Sequence, residues 1–221
     1  MDTSPLESVI VDTGAHPDTC ILWLHGLGAD GHDFEPIVPE LPLPPGAAVR
    51  FVFPHAPVRP VTLNNGMAMR AWYDFRALDP GRGEDHAQVG ETVALIQELV
   101  ARARGEHQRV ILGGFSQGGA VALLAGLGEG PAPDAVFALS TYLPDADKAG
   151  IALAQRTRGL PVFMAHGSMD AVIPVDFGRR SARALQALGV DLQWHEYPMP
   201  HSVCGDEVRD LGAWLTPLVQ D

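Results

Sequence analysis

The sequence has little of several features that mark other classes of protein. Its 221 residues include only two cysteines, Cys20 and Cys204, too few for a disulfide framework or for a zinc site of their own. No apolar run approaches the ~18 residues that a membrane-spanning helix needs. The N-terminal MDTSPLESVIVDTG lacks the basic and apolar segments of a signal peptide. These absences predict a cytoplasmic protein with no membrane span.

Basic residues are also scarce. Lysine and arginine number 15 against 27 aspartates and glutamates, which gives a formal net charge of −12 at pH 7. Such a surface repels a phosphate backbone, so nucleic acid is not an expected partner. Hydrophobic residues make up 46% of the chain and charged ones 19%, and this balance indicates a folded protein rather than a disordered one.

Short apolar runs rich in β-branched residues alternate with helical patterns along the chain. The runs include CILWLHG, AVRFVFPHA, RVILGGFS, AVFALST and PVFMAHG. Apolar residues recur at helical spacing in four segments: His86–Arg104, Gln117–Leu127, Val175–Leu188 and Val203–Leu218. Strands that are apolar throughout and alternate with helices predict an α/β fold with a mostly parallel central sheet covered on both faces. The length fits a single domain over residues 1–221.

One stretch, at about residues 55–85, fits neither pattern. Its sequence HAPVRPVTLNNGMAMRAWYDFRALDPGRGED has too many glycines and prolines for a helix and is long for a connector. Irregular segments of that length in a compact domain are commonly functional. We expect a substrate-side loop there.

The loop HGLGADG, which begins at His25, matches the dinucleotide-binding pattern G-x-G-x-x-G. Three features argue against a nucleotide. The following strand, VRFVFPHA, does not end in the acid that binds ribose. The helix after the loop is broken by Pro36 and Pro39, and Asp30 and Asp33 place negative charge where a pyrophosphate would lie.

A second motif, Gly-Phe-Ser116-Gln-Gly, matches the nucleophile elbow G-x-S-x-G. The motif is short, and a glycine-rich packing turn is its structural alternative. Its context favours the elbow, because RVILGG before it reads as a buried strand and QGGAVALLAGL after it as a helix. A serine on such a turn becomes a nucleophile when a base takes its proton and an acid orients that base.

The partners of Ser116 follow in the order that this architecture requires, first an acid and then a histidine, each after a strand. Asp170 follows PVFMAHG and His201 follows VDLQWHEYP. His195 is the rival base, but it lies inside the last strand. Three other acids compete less well, because two fall in a polar stretch and one begins a strand: Asp145, Asp147 and Asp191.

Acyl transfer also needs two N–H groups for the oxyanion, one after the nucleophile and one from an earlier strand-end loop. Gln117 supplies the first, and HGLGADG supplies the second, from Leu27. The glycines of that loop therefore serve an alkoxide rather than a phosphate. No metal-binding spacing such as H-E-x-x-H is present, so we expect neither a metal nor another cofactor.

With these residues in place the chain resembles the phospholipase/carboxylesterase family of α/β-hydrolases, which includes acyl-protein thioesterases. The segments that carry the resemblance are LHGLGADG, FPHAP, MRAWYD, GFSQGG, LSTYLP, HGSMDAVIP and YPMPHSV, in the family's order from residue 22 to 203. The resemblance implies the α/β-hydrolase fold, the same catalytic and oxyanion residues, and a position for NNGMAMRAWYDF beside the acyl site. The departures from the family are small: Thr141 and Tyr142 stand where relatives vary, and Met199 stands where many carry glycine. They leave the chemistry unchanged, and the resemblance does not fix the shape of the acyl pocket.

The resemblance also gives candidates for substrate binding. Five apolar residues lie on segments expected near the nucleophile: Leu63, Met69, Trp72, Leu143 and Ile173. For each of them an ordinary place in the core is the alternative.

The predicted function is that of a serine carboxylesterase acting on short- to medium-chain esters, thioesters or lysophospholipids. The expected partner is a small-molecule or lipid-like acyl ester, and a homodimer is left open. A peptidase or amidase is the alternative on the same fold, although nothing in the sequence indicates binding of an extended chain. A non-catalytic binding module would predict a degraded set of catalytic residues, whereas Ser116, Asp170 and His201 are all present.

Overall fold

The computed structural model describes residues 6–76, 83–144 and 157–220. Its main sheet has seven strands: β1 (Ser8–Asp12), β2 (Thr19–Leu24), β3 (Val49–Pro54), β6 (Arg109–Phe115), β7 (Ala135–Leu139), β8 (Pro161–Gly167) and β9 (Asp191–Tyr197). They lie in the order β1-β3-β2-β6-β7-β8-β9. Only β1 runs antiparallel to its neighbour β3, and the other pairs are parallel.

Four α-helices belong to the described part: α1 (His86–Glu106), α2 (Gln117–Leu127), α3 (Val175–Leu188) and α4 (Gly205–Val219). The predicted segments agree with them to within two residues at each end. Helix α1 begins at its N-cap Asp85, whose carboxylate accepts the N–H groups of Ala87 and Gln88. A short 3₁₀ helix, Glu35–Glu40, contains Pro39, which explains why no longer helix forms after the glycine-rich loop.

Apolar side chains lie on both faces of the sheet. In β2, Leu22 packs into the core on one face with Ile96 of α1 and Leu185 of α3. Its neighbour Trp23 packs into the core on the other face with Trp214 of α4. This alternation follows from the two-residue period of a strand. The predicted α/β-hydrolase architecture, with helices on both faces of a mostly parallel sheet, is confirmed, whereas the single domain over 1–221 stays a prediction.

The stretch 55–85 is more regular than we expected. It contains a two-stranded antiparallel ribbon, β4 (Val58–Val61) and β5 (Met67–Arg70), joined by the 3₁₀ turn Thr62–Asn64. Asn65 and Gly66 take positive φ angles of 56° and 75°, the conformation that tight turns require. The dipeptide Asn65-Gly66 is the sequence signal for this ribbon. The strands of the ribbon have only four residues each, which is too short for a clear alternation of apolar and polar residues. Residues 77–82 of this stretch, with Leu78, lie outside the described residues.

Candidate active site

Ser116 lies on a sharp turn between β6 and α2. Its φ and ψ are 54° and −120°, a conformation that a serine adopts only when its surroundings hold it there. The surroundings are tight, because a Cβ on Gly118 would lie 2.4 Å from the carbonyl oxygen of Leu24. The Ser116 N–H donates to the carbonyl of Leu139 at 2.9 Å. The turn thus presents the serine side chain at the carboxyl edge of the sheet.

His201 bridges Ser116 and Asp170. Its Nε2 lies 2.9 Å from the Ser116 Oγ, and its Nδ1 lies 2.7 Å from the Asp170 Oδ2. The two contacts fit one tautomer, in which Nδ1–H donates to the carboxylate and Nε2 accepts from the hydroxyl. The structure therefore brings together the three residues that the sequence pattern picked from three separate strand ends.

Asp170 is fully buried and well supplied with donors. Its Oδ1 accepts the N–H groups of Val172 and Ile173, each at 2.8 Å. On the other side, His166 Nε2–H donates to the Ile173 carbonyl at 2.8 Å and lies 3.4 Å from the Asp170 Oδ2. Burial lowers the pKa of His166, which keeps that imidazole neutral. The acid is thus held in a fixed position behind His201.

The two predicted oxyanion donors lie near the serine. A Cβ on Gly26 would come within 3.5 Å of the Ser116 Cβ, so the glycine-rich loop lies directly against the nucleophile turn. Across the residues that the structure describes, no protein acceptor takes the N–H of Leu27 or of Gln117. The Gly28 N–H, by contrast, donates to the Arg70 carbonyl at 2.9 Å.

A pocket of about 280 Å³ opens beside Ser116. Leu63 and Ile173, two of the five predicted substrate residues, lie in its wall. Besides Asp33 and Phe75, four of its lining residues were not among the five substrate residues named from the sequence: Ala29, Phe115, Tyr142 and Val172. Each of the four follows or ends a strand at the carboxyl edge, and position at that edge was the signal that could have found them.

Three predicted substrate residues do not line this pocket. Trp72 is fully buried because its indole Nε1–H donates to the His25 carbonyl at 2.8 Å, which turns the ring into the core. Leu143 is 2% exposed and belongs to the core. Its backbone N–H donates to the Oγ of Ser181 on α3 at 2.8 Å. Met69 lies on β5, and its Sδ contacts the Asn64 amide rather than the pocket. For Trp72 and Leu143 the core alternative is therefore the correct one.

Tyr142 joins the pocket to a buried polar cluster. Its ring lines the pocket, and its hydroxyl donates to the Glu84 carboxylate. Burial raises the pKa of Tyr142 and that of the neighbouring Tyr73, so both phenols stay protonated. Because Glu84 precedes α1, this contact ties the end of the 55–85 stretch to the strand-end loop after β7.

The competing residues lie elsewhere. His195 stacks on Phe163 with ring centroids 4.9 Å apart, and its Nδ1 lies 3.9 Å from the Asp210 carboxylate. Asp191 begins β9 at the opposite, amino edge of the sheet. Asp145 and Asp147 lie outside the described residues. Within the described ranges, no three histidine, cysteine or acidic side chains form a group that could hold a metal ion.

Fold and site together define a serine hydrolase of the α/β-hydrolase class. The family model for phospholipases and carboxylesterases matches residues 6–218, and the chain belongs to that family. The prediction of a hydrolase of ester or thioester bonds is confirmed.

Individual relatives agree with this assignment. The chain is 38% identical over 237 aligned positions to acyl-protein thioesterase 1 of Mycosarcoma maydis, covering 98% of each protein. It is 36% identical to acyl-protein thioesterase 1 of Cryptococcus neoformans, covering 97% of this chain and 98% of that protein. Among solved structures, Zea mays acyl-protein thioesterase 2 superposes with a TM-score of 0.82 at 28% identity, covering 97% of this chain and 99% of that one.

Proposed function

We propose that the protein hydrolyses short- to medium-chain acyl esters and thioesters through an acyl-enzyme on Ser116. The observation that carries this proposal is the pair of contacts from His201, at 2.9 Å to Ser116 and 2.7 Å to Asp170. In the first half-reaction Ser116 Oγ attacks the carbonyl carbon while His201 Nε2 takes its proton. The oxyanion accepts from the N–H groups of Leu27 and Gln117, and the leaving alcohol or thiol receives the proton from His201.

In the second half-reaction water replaces the leaving group. His201 takes a proton from the water, the hydroxide attacks the acyl carbon, and Ser116 Oγ departs with that proton. Asp170 keeps its charge throughout and holds the imidazole in the Nδ1–H tautomer. Thioesters fit the same cycle, and the resemblance to acyl-protein thioesterases over nearly the full chain supports them as substrates.

Two further predictions from the sequence stay predictions. Within the described segments, no helix is long and apolar enough to cross a bilayer. The cytoplasmic location rests on the low cysteine content and on the missing signal-peptide and membrane-span patterns of the sequence, and the homodimer stays a prediction. Size-exclusion chromatography with light scattering would decide the oligomeric state.

The pocket predicts how the rate depends on acyl length. We expect kcat/KM for straight-chain p-nitrophenyl esters to rise from acetate to medium chains, because each buried methylene contributes roughly 0.8 kcal/mol and about 1.4 kcal/mol is tenfold. The rise should end where the chain fills the pocket of about 280 Å³. Leu63 lines that pocket, so Leu63→Ala should flatten the rise by several-fold while acetate hydrolysis changes little.

Met69→Ala is the matched control, since Met69 lies on the same ribbon but outside the pocket wall. It should leave the length profile unchanged. A profile that declines steadily from acetate, or one flattened equally by both variants, would mean that Leu63 is not part of an acyl wall.

The charge of the pocket predicts a second preference. Among its lining residues that the structure describes, Asp33 is the one with a carboxylate, and none is a lysine or arginine. Burial, with the nearby Asp30 second, raises the pKa of Asp33, so the assay is run at pH 8, far above the ordinary range of a carboxyl group. We therefore expect esters with anionic leaving groups, including phosphate-bearing ones, to react more slowly than neutral or cationic esters of the same acyl chain.

Asp33→Asn should reduce the ratio of cationic to neutral kcat/KM by about fivefold at low salt, because one near charge in a partly aqueous site contributes about 1 kcal/mol. Asp191→Asn removes the same charge at the far edge of the sheet and should leave the ratio unchanged. An equal change in both variants would assign the preference to net charge rather than to Asp33.

A further inference from the structure

Buried hydrogen bonds connect the nucleophile turn, which carries the Gln117 N–H, with the glycine-rich loop, which carries the Leu27 N–H. The first of these bonds are made by the side chain of Gln117. Its side-chain Oε1 accepts the Trp72 N–H at 2.8 Å, and its Nε2–H donates to the Tyr73 carbonyl at 2.8 Å. Both bonds are made by a residue that is only 6% exposed. The Gln117 amide thus fixes the backbone at residues 72–73 to the nucleophile turn.

The connection continues from Trp72 to the glycine-rich loop. Its indole Nε1–H donates to the His25 carbonyl at 2.8 Å. His25 Nε2 accepts the Ala56 N–H at 3.0 Å, so its Nδ1 carries the proton and donates to the Gly26 carbonyl at 2.7 Å. Burial lowers the pKa of His25, which keeps it in this neutral form. The last bond ends on the residue before Leu27, the other proposed donor.

A purely structural role does not account for this arrangement. The nucleophile helix already contacts β2 directly, since a Cβ on Gly118 would lie 2.4 Å from the Leu24 carbonyl and 2.5 Å from that of His25. The helix and strand are thus fixed by packing. The hydrogen bonds in addition fix the direction of the His25 and Gly26 carbonyls, and the Gly26 carbonyl shares its peptide group with the Leu27 N–H. An oxyanion site requires donors placed within tenths of an ångström.

We propose that the side chains of Gln117, Trp72 and His25 form a positioning network that sets the relative placement of the Leu27 and Gln117 N–H groups. The proposal rests on the proposed function, because it assigns those two N–H groups to the oxyanion. Trp72 and His25 do not line the pocket, the Gln117 amide is engaged with the backbone at residues 72–73, and the three side chains act through the backbone donors. Their loss therefore weakens binding of the tetrahedral state more than binding of the ester, and lowers kcat with little change in KM.

The test removes one bond of the positioning network with the least disturbance. Trp72→Phe keeps an aromatic ring in the core and loses the N–H that donates to His25, together with part of the indole ring system. Trp23→Phe is the matched control, since Trp23 is also a fully buried tryptophan, lies on β2, and has no partner for its Nε1 within the described part of the chain. Both variants lose the same atoms, and both are assayed below their melting temperatures.

We expect Trp72→Phe to lower kcat by roughly ten- to a hundredfold, the effect of misplacing a donor by less than 1 Å, with KM within about twofold. Trp23→Phe should keep both constants within about twofold. An alkyl trifluoromethyl ketone, which forms a tetrahedral oxyanion on the serine, should bind Trp72→Phe more weakly by a factor similar to the loss in kcat. Binding of the carboxylic acid product should not change.

Equal losses of kcat in the two tryptophan variants, or a rise in KM with unchanged kcat, would overturn the positioning network. Gln117→Glu provides a second variant, because the carboxylate keeps an acceptor for Trp72 but cannot donate to Tyr73. It should show the same split between kcat and KM. A failure of the proposed function appears separately, as full activity in Ser116→Ala.

Discussion

Replacing Ser116 with alanine should lower kcat for p-nitrophenyl butyrate by on the order of 10⁴- to 10⁶-fold, the range measured when the nucleophile of a comparable triad is removed. The loss is large because Ser116 Oγ is the atom that forms the acyl bond, and it is the hydroxyl that lies 2.9 Å from His201 Nε2. The fold should remain intact, since alanine fits the same turn. Initial-rate kinetics and circular dichroism of the purified variant give the two readouts.

Ser168→Ala is the control for this prediction. Ser168 is an exposed serine at the end of β8, two residues before Asp170, so it lies close to the site without contacting His201. The variant should keep most of its activity, and fluorophosphonate should still label the peptide that contains Ser116. Activity retained in Ser116→Ala, or label on any other serine, would assign the nucleophile elsewhere.

His201→Ala should lower kcat by a similar amount, several orders of magnitude, because without the imidazole the Ser116 hydroxyl has no base at 2.9 Å. The reaction of Ser116 with fluorophosphonate should slow as well, since it needs the same proton transfer. The measurement compares kcat and the labelling rate in the variant with those of the natural protein.

His195→Ala provides the contrast, since the His195 ring stacks with those of Phe163 and Tyr197, whereas the Ser116 hydroxyl contacts His201. Its loss should lower the melting temperature by a few degrees, as expected for roughly 1 kcal/mol of ring packing, and leave kcat within about threefold. If His195→Ala abolished turnover while His201→Ala did not, the role of base would pass to His195.

The chain order of the sequence was enough to select the catalytic candidates. A parallel sheet brings the carboxyl ends of its strands to one edge, so an acid after β8 and a histidine after β9 had to lie near a serine after β6. The glycine-rich loop after β2 falls at the same edge for the same reason. Strand patterns therefore located Ser116, Asp170, His201 and Leu27 without any knowledge of side-chain direction.

The pocket could not be predicted in the same way, because its wall depends on where each side chain points. Trp72 lies in the expected segment, yet its indole N–H finds an acceptor in His25 and the ring turns into the core. Leu143 and Tyr142 are neighbours in one loop, but only Tyr142 lines the pocket. Neighbouring side chains point in opposite directions, so an error of one residue exchanges a pocket residue for a core residue. The sequence alone does not say which of the two points into the pocket.

The long irregular stretch shows the same limit at the level of the backbone. The ribbon of β4 and β5 has only four residues in each strand and includes Pro60, so its pattern was too short to stand out. Its turn carried the one local signal, Asn65-Gly66. The ribbon places Leu63 against the pocket, and that placement depends on the turn rather than on hydrophobic periodicity.

The most direct test of the account is to observe the acyl-enzyme itself. Natural protein mixed with p-nitrophenyl butyrate and quenched in acid during turnover should show, by mass spectrometry, a fraction carrying one butyryl group on the peptide that contains Ser116. The adduct should be absent from Ser116→Ala and present in Ser168→Ala. Steady turnover with no acyl adduct under any quench time, or with the butyryl group on a different residue, would contradict covalent catalysis by Ser116.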